Sequence, residues 1–464
     1  MTAPDLDRPA LATGEITWSR REIVAQAAAW REHINARAPG AAPIALIAPA
    51  APPMIAALLG AWQAGRHVVV LNPRVPAPAL EALIETAGAS AAWTLPALVQ
   101  QLADVGCPVA PLEALPPHSG PAAELPMSGG LILATSGSSG APKLAQISAG
   151  ALLESARRAN TNIPLGPGDR SLLSLPLFHV SGIGILLRAW LAGACIDLPA
   201  PGTALPDALA RFRPTHLSLV ATQLRRLLND PAGPELLRSA KAILLGGSAI
   251  PPALTAAAHA LGLPLHKSYG LTEMGSQVTT TRPGAGLDEL ATSGYALAPD
   301  TVRISGEGEI EVTGATLFDG YLHAPGLPEL PLSPDGWFHT GDLGALDAAG
   351  RLVVLGRRDS MYISGGENVH PETVERALAG IVGVEQCMVV PVPDDEFGTL
   401  GWAFVELTEG TPWDAEALRH ALKEHLAPHE VPRYIHPWPV DLATTGIKPS
   451  RKALHALALK LHEA

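Results

Sequence analysis

Cysteine is scarce in this 464-residue chain: Cys107, Cys195 and Cys387 stand far apart, odd in number, with no CxxC pair and no Cys/His spacing. That excludes a disulfide framework and a cysteine-based zinc site, and a reducing, cytoplasmic compartment is expected. Positive charge is also short. Lys and Arg total 32 against 44 Asp and Glu, a net charge of −12, and no basic block interrupts the chain. This argues against nucleic acid or anionic membrane as the main partner and for a small molecule. The start, MTAPDLDRPALATGE, has acids where an export signal needs a basic and then an apolar segment, so no signal peptide is expected. Nor is a membrane span expected, because Pro49, Pro52 and Pro53 break the most apolar long segment, PIALIAPAAPPMIAALLGAW. Internal repeats and low-complexity linkers are lacking too.

What is present is length and apolar content enough for two or three domains. The proline-broken segment reads as a strand from Ile44 to Ile47, a turn, a helix over about Met54 to Trp62 and a second strand, HVVVLN, which is a βαβ unit. The alternation recurs in HLSLV then TQLRRLLND, and in AILLGG, PPALTAAAHA and PLHKSYG. Layered α/β structure with parallel sheet follows, with ligands expected at the carboxyl ends of the strands. After about residue 290 short strands and glycine turns take over, as in VRISGEGEIEVTG and GRLVVLGRRD. The last hundred or so residues read as α+β, with helices at PETVERALAG and DAEALRHALKEHL around a strand at CMVVPV. The fold expected is therefore α/β, a large N-terminal domain of layered βαβ sheets over residues 1–358 and a small mobile α+β C-terminal domain over 359–464.

The densest chemical signal is ATSGSSGAPK, residues 134 to 143, which follows the apolar run Leu131, Ile132, Leu133. Gly137 and Gly140 permit close backbone approach, while Thr135, Ser136, Ser138 and Ser139 add donors; together with Lys143 they suit a phosphate cradle. In isolation the same residues also suit a surface turn. A Walker P-loop is excluded because Ala141 and Pro142 follow Gly140, and a G-x-S-x-G nucleophile elbow because position 141 is alanine.

The loop resembles the T-S-G-[ST]-[ST]-G-x-P-K pattern of the acyl-adenylate-forming superfamily, which includes acyl-CoA synthetases and nonribosomal adenylation domains. Further matches follow in the family's order: LPLFHVSG (175–182), LLGGSAIP (244–251), YGLTE (269–273), GWFHTGDLG (336–344), GRRDSMYISGGENVHPETVE (356–375) and GIKPSRKAL (446–454). The resemblance implies that a carboxylate attacks the α-phosphate of ATP and that a thiol then takes the acyl group. It implies β- and γ-phosphate contacts for Thr135 to Gly140 and Lys143, an adenine site at Gly247, Ser248 and Ala249, and stacking of Tyr269 on the base. Thr272 would contact the α-phosphate, Glu273 would hold Mg2+, and Asp342 with Arg357 would meet the ribose. Asp359 falls at the hinge position, and Ser364, Gly365, Gly366 and Glu367 at the tunnel for the pantetheine thiol of CoA. Lys448 is the implied catalytic cation: Lys448-Pro-Ser-Arg451 keeps the family's K-x-x-R spacing, although Ile447 separates it from the usual glycine. Read singly, Asp342 also suits an Asx turn and Glu273 an ordinary acid at a helix start.

The helix-like run after His179 carries one guanidinium, Arg188, amid apolar residues. A buried Arg needs an anion, which a protein side chain or a substrate carboxylate can supply, unless it is water-screened at a snorkelling surface. The blocks around it, with THLSLVATQLRRLL and the ending GIKPSRKAL, resemble a narrower family, the o-succinylbenzoate–CoA ligases of menaquinone biosynthesis. Their substrate has two carboxylates, one activated and one in need of a cation; Arg188 is the candidate for the second, Thr222 and Gln223 for pocket walls, and His179 for the acyl-site gate. The competing expectations are an acyl- or aryl-CoA synthetase for another acid, which would pair Arg188 with protein, and a carrier-loading adenylation domain. A homo-oligomer is left open.

Overall fold

The computed structural model describes residues 5–117, 128–135, 143–439 and 451–463. The βαβ unit forms as its sequence dictates: strand Ile44–Ile47, helix Pro52–Gln63 and strand His67–Val70, the two strands parallel. Pro52 opens the helix, where its missing N–H is no loss. Every residue from Met54 to Trp62 is buried, so the helix is apolar all round, the mark of one enclosed on all sides.

Among the described residues, two large sheets dominate. The seven-stranded one runs in the order Gly320–Leu322, Lys143–Ser148, Gly130–Thr135, His67–Val70, Ile44–Ile47, Ala92–Thr94, Val109–Pro111. The nine-stranded one carries at its centre the parallel strands Leu265–Leu271, Ala242–Leu245, His216–Leu219, Arg170–Leu172 and Cys195–Asp197, closed at one end by Pro9–Ala12 and Thr17–Ser19. One continuous core joins Leu46, Val68 and Leu133 of the first sheet to Leu11 and Ile196 of the second through helices Pro52–Gln63 and Val180–Ala192. A four-stranded antiparallel sheet from Val302 to Arg357 follows.

The C-terminal part is a smaller α+β unit. A three-stranded sheet, Val384–Asp394, Gly398–Leu407 and Tyr434–Pro437, packs helices Pro371–Ala379 and Ala415–Lys423 in one core. The last helix, Arg451–Glu463, packs Leu454 and Ala458 on Trp402 and Phe404 in another. No helix among the described residues is long and apolar enough to cross a membrane.

Candidate active site

The chain of the glycine-hydroxyl stretch enters as Gly130–Thr135 and returns antiparallel as Lys143–Ser148, with Thr135 opposite Lys143. Thr135 Oγ1 donates to the Lys143 carbonyl at 3.3 Å, closing the stem. Ser136, Gly137, Ser138, Ser139 and Gly140 lie outside the described residues. Lys143 Nζ stands over the Tyr321 ring, 5.0 Å from its centre, and Tyr321 Oη donates to Glu273 Oε1 at 2.6 Å. Thr272 and Glu273 form one 3-10 turn after strand Leu265–Leu271. Burial, then the Glu273 carboxylate, pushes the Tyr321 hydroxyl well above its usual range.

On the same strand Tyr269 Oη donates to Asp342 Oδ2 at 2.6 Å, and Arg357 Nη1 donates to Asp342 Oδ1 at 3.2 Å. Asp342 and Arg357 are direct cross-strand partners, so sheet register brings the pair together. Burial raises the Asp342 pKa, opposed by its bonds to Tyr269 and Arg357. Arg357 also grips Asp359 through two bonds of 3.0 Å. Gly341 has φ +74° and a Cβ there would lie 3.0 Å from the Arg357 guanidinium, so both backbone and space call for glycine. Leu245 pairs with Lys267 on the parallel neighbour, which brings exposed Gly247, Ser248 and Ala249 alongside the carboxyl end where Tyr269 lies.

The third group is built on helix Val180–Ala192, whose N-cap is His179. Arg188 is buried, and among the described residues no carboxylate meets it: Nε donates to Asn160 Oδ1 at 2.9 Å and Nη2 to the Ile163 carbonyl at 3.1 Å. Burial pulls its pKa down to about 10, still far above neutrality, so it stays charged. It lines a cavity of about 10 Å³, room for one water, together with Ser155, Gly275, Ser276 and Gln277, which directly follow the Thr272–Met274 turn or face it. Thr222 and Gln223 open helix Ala221–Asn229; the Gln223 carboxamide accepts from Val220 N at 3.0 Å and donates to the Ser174 carbonyl at 3.3 Å.

In the C-terminal part, Ser364 and Glu367 pair across a hairpin turned by Gly365 and Gly366, with φ of +58° and +88°, the conformation a tight two-residue hairpin requires. Gly365 N donates to the Phe397 carbonyl at 3.0 Å. Lys448 lies outside the described residues. Sequence reasoning passed over Tyr321, Asn160 and Thr340, whose hydroxyl accepts from Asp342 N at 3.0 Å. A signal existed for the first: with only five tyrosines in the chain, each phenol invites a question about what its hydroxyl meets.

The fold and these clusters match an established class. The AMP-binding enzyme family matches residues 2–322, and its C-terminal domain matches residues 373–446. The chain belongs to the AMP-binding enzyme family. Among relatives, it is 38% identical to the 2-succinylbenzoate–CoA ligase of Salmonella typhimurium over 87% of this chain and 84% of that one. It is 33% identical to the enzyme of that name from Listeria monocytogenes over 66% of this chain and 65% of the relative, just under two thirds of the latter's length. The solved o-succinylbenzoate CoA synthetase of Bacillus subtilis, in complex with the acyl-adenylate intermediate OSB-AMP, superposes with a TM-score of 0.84 at 27% identity, covering 97% of this chain and 95% of that one. The same B. subtilis protein has been solved with ATP and magnesium ion, with a TM-score of 0.81 at 27% identity, covering 93% of each chain.

Proposed function

We propose that this chain is an AMP-forming ligase that activates o-succinylbenzoate and transfers it to CoA in menaquinone biosynthesis. The observation that carries the choice of acid is Arg188: a buried, charged guanidinium with no carboxylate partner among the described residues, lining the cavity that adjoins the Thr272–Glu273 turn. A buried cation so placed favours a second carboxylate on the substrate, reached through the one water that its cavity has room for.

In the first half-reaction the succinyl carboxylate oxygen attacks the α-phosphorus of ATP, the bond to the bridging oxygen breaks, and pyrophosphate leaves. Little proton transfer is involved, so the work is neutralisation of charge and alignment. Thr135 to Gly140 and Lys143 hold the β- and γ-phosphates, and Thr272 and Lys448 meet the α-phosphate region. Asp342, held by Tyr269 and Arg357, accepts from the ribose hydroxyls, beside the adenine site of Gly247 to Ala249. His179 gates the acyl pocket, with Thr222 and Gln223 in its wall.

Mg2+ fits what is present. Among the described residues no group of three potential ligands could hold a metal unaided, and the lone carboxylate of Glu273 suits an ion that keeps water and phosphate oxygens as its other ligands. When bound, it would supply charge neutralisation on the triphosphate. In the second half-reaction the CoA sulfur attacks the acyl carbon and AMP leaves. The boundary between residues 1–358 and 359–464, with Asp359 as hinge, lets the small domain withdraw Lys448 and present Ser364 to Glu367 to the pantetheine arm.

The test is ATP- and CoA-dependent thioester formation with o-succinylbenzoate beside benzoate, a medium-chain fatty acid and malonate. Strong preference for o-succinylbenzoate is the expected result. Turnover only with another acid would leave the nucleotide site standing and overturn the substrate.

A further inference from the structure

Tyr321 has no part in the scheme above, yet it stands between the two opposite charges that scheme places on the triphosphate. Its ring faces the Lys143 ammonium at 5.0 Å and its hydroxyl holds the Glu273 carboxylate at 2.6 Å. Among the described residues Lys143 and Glu273 make no ion pair with each other or with any other side chain.

The segment carrying Tyr321 is tied to both sides. Strand Gly320–Leu322 pairs with Lys143–Ser148, Tyr321 opposite Ala145, so the ring moves with the strand that bears Lys143. Phe318 N donates to the Glu273 carbonyl at 2.8 Å, and the Phe318 ring packs edge-on against Tyr321 at 4.8 Å. Gln146 Nε2, reaching Asp319 Oδ2 at 3.4 Å, adds a third tie. Four consecutive residues thus fix the spacing between a cation on one strand and an anion on a neighbouring turn.

We propose that Tyr321 is a positioning residue that keeps Lys143 and Glu273 from neutralising each other, its ring face carrying the ammonium and its hydroxyl the carboxylate. With both contacts gone, the two flexible side chains can close into an ion pair, which removes a phosphate-binding charge and a metal-binding charge at once; with only the hydroxyl gone, the ring still holds the ammonium and the carboxylate alone loses its aim. With Tyr321 in place, each charge stays aimed at its own part of the nucleotide. The proposal rests on the reading that Lys143 meets the phosphates and Glu273 the Mg2+.

Tyr321→Phe and Tyr321→Leu separate the two contacts. ATP affinity is measured by calorimetry with excess EDTA and with Mg2+, and the Mg2+ dependence of ATP–pyrophosphate exchange is followed alongside. Tyr321→Phe keeps the ring, so metal-free ATP affinity should stay within about twofold. The gain in affinity on adding Mg2+ should shrink, and the Mg2+ needed for half-maximal exchange should rise, each by about tenfold, with kcat at saturating Mg2+ nearly kept. Tyr321→Leu should also weaken metal-free ATP binding several-fold. A phenylalanine variant with the full Mg2+ response overturns the proposal, as does equal loss by both variants in both conditions. If the leucine variant fails to fold, the phenylalanine arm decides alone, its melting temperature beside that of the wild type. Wild-type protein whose ATP affinity is indifferent to Mg2+ would overturn the role given to Glu273 and the proposal with it.

Discussion

Arg188→Met removes the guanidinium and keeps most of the side-chain volume. In the folded protein it leaves Asn160 Oδ1 and the Ile163 carbonyl without their donors. An acceptor left unpaired in a buried place costs about 1–3 kcal/mol. Against that, a cation is no longer held out of water, a gain of similar size, so the net change in stability should be within about 2 kcal/mol. The substrate has no such compensation. On the proposed function, the aromatic carboxylate of o-succinylbenzoate loses a charge-assisted hydrogen bond of about 1.5–3 kcal/mol, which is about 10- to 150-fold in kcat/KM. The assay is pyrophosphate release with o-succinylbenzoate and with 4-oxo-4-phenylbutanoate, which keeps the reacting chain and lacks the aromatic carboxylate. The variant should lose activity on the first acid only, with the KM for ATP scarcely altered. Because Arg188 titrates at about 10, the wild-type preference between the acids should be flat across neutral and mildly alkaline pH. Equal loss on both acids, or loss on neither, refutes the recognition role and returns Arg188 to packing.

Lys448→Ala should lower adenylation by at least about 10²-fold, the scale for removing one preorganised charge donor, while thioester formation from supplied acyl-adenylate is largely kept; stopped-time assays of each half-reaction decide it, and equal loss of both refutes the role. Gly341→Ala places a Cβ against the Arg357 guanidinium at a φ of +74° and should raise the KM for ATP by about tenfold with little change in that for the acid. Lys267, chiefly through burial and then through nearby Arg376, titrates at about 8 rather than 10.5. Its folded-state pKa is the lower, so the unfolded chain holds more protons between these values and stability should rise with pH across that window. Lys267→Met should abolish that rise in denaturant melts taken at pH steps from about 7 to 11; an unchanged slope would show that another group carries it.

Where local pattern fixes structure, the fold is legible in the sequence. The strand Ile44–Ile47, the helix around Met54 to Trp62 and the strand from His67 follow from apolar runs punctuated by proline, and the parallel pairing follows from the helix between them. The two-domain α/β architecture was legible for the same reason. What local pattern does not encode is pairing at long range. Pro9–Ala12 lies beside Cys195–Asp197, and nothing in either segment names the other. The antiparallel pairing of Gly130–Thr135 with Lys143–Ser148 was likewise not legible in either segment. At the site, Asp342 and Arg357 were picked out by motif, while the hydroxyl of Tyr269 as a donor to Asp342 was not, because its partner is 73 residues away. Tyr321 escaped for the opposite reason: it sits in a short segment rich in glycine and proline, with no periodicity to suggest a strand.

Arg357 spreads one guanidinium over two carboxylates, Asp342 on the strand opposite and Asp359 two residues along its own chain. If Asp342 serves the ribose and Asp359 the hinge, the two functions draw on a shared cation. A backbone rotation that carries Asp359 away leaves Arg357 with Asp342 as its one remaining carboxylate among these two, beside the Thr340 carbonyl, altering the acceptor that the nucleotide meets. Thermodynamic reciprocity then applies: whatever factor the hinge state imposes on nucleotide affinity, the nucleotide imposes on the hinge equilibrium. Release of AMP and the return swing of the small domain would be two readings of a single coupling constant.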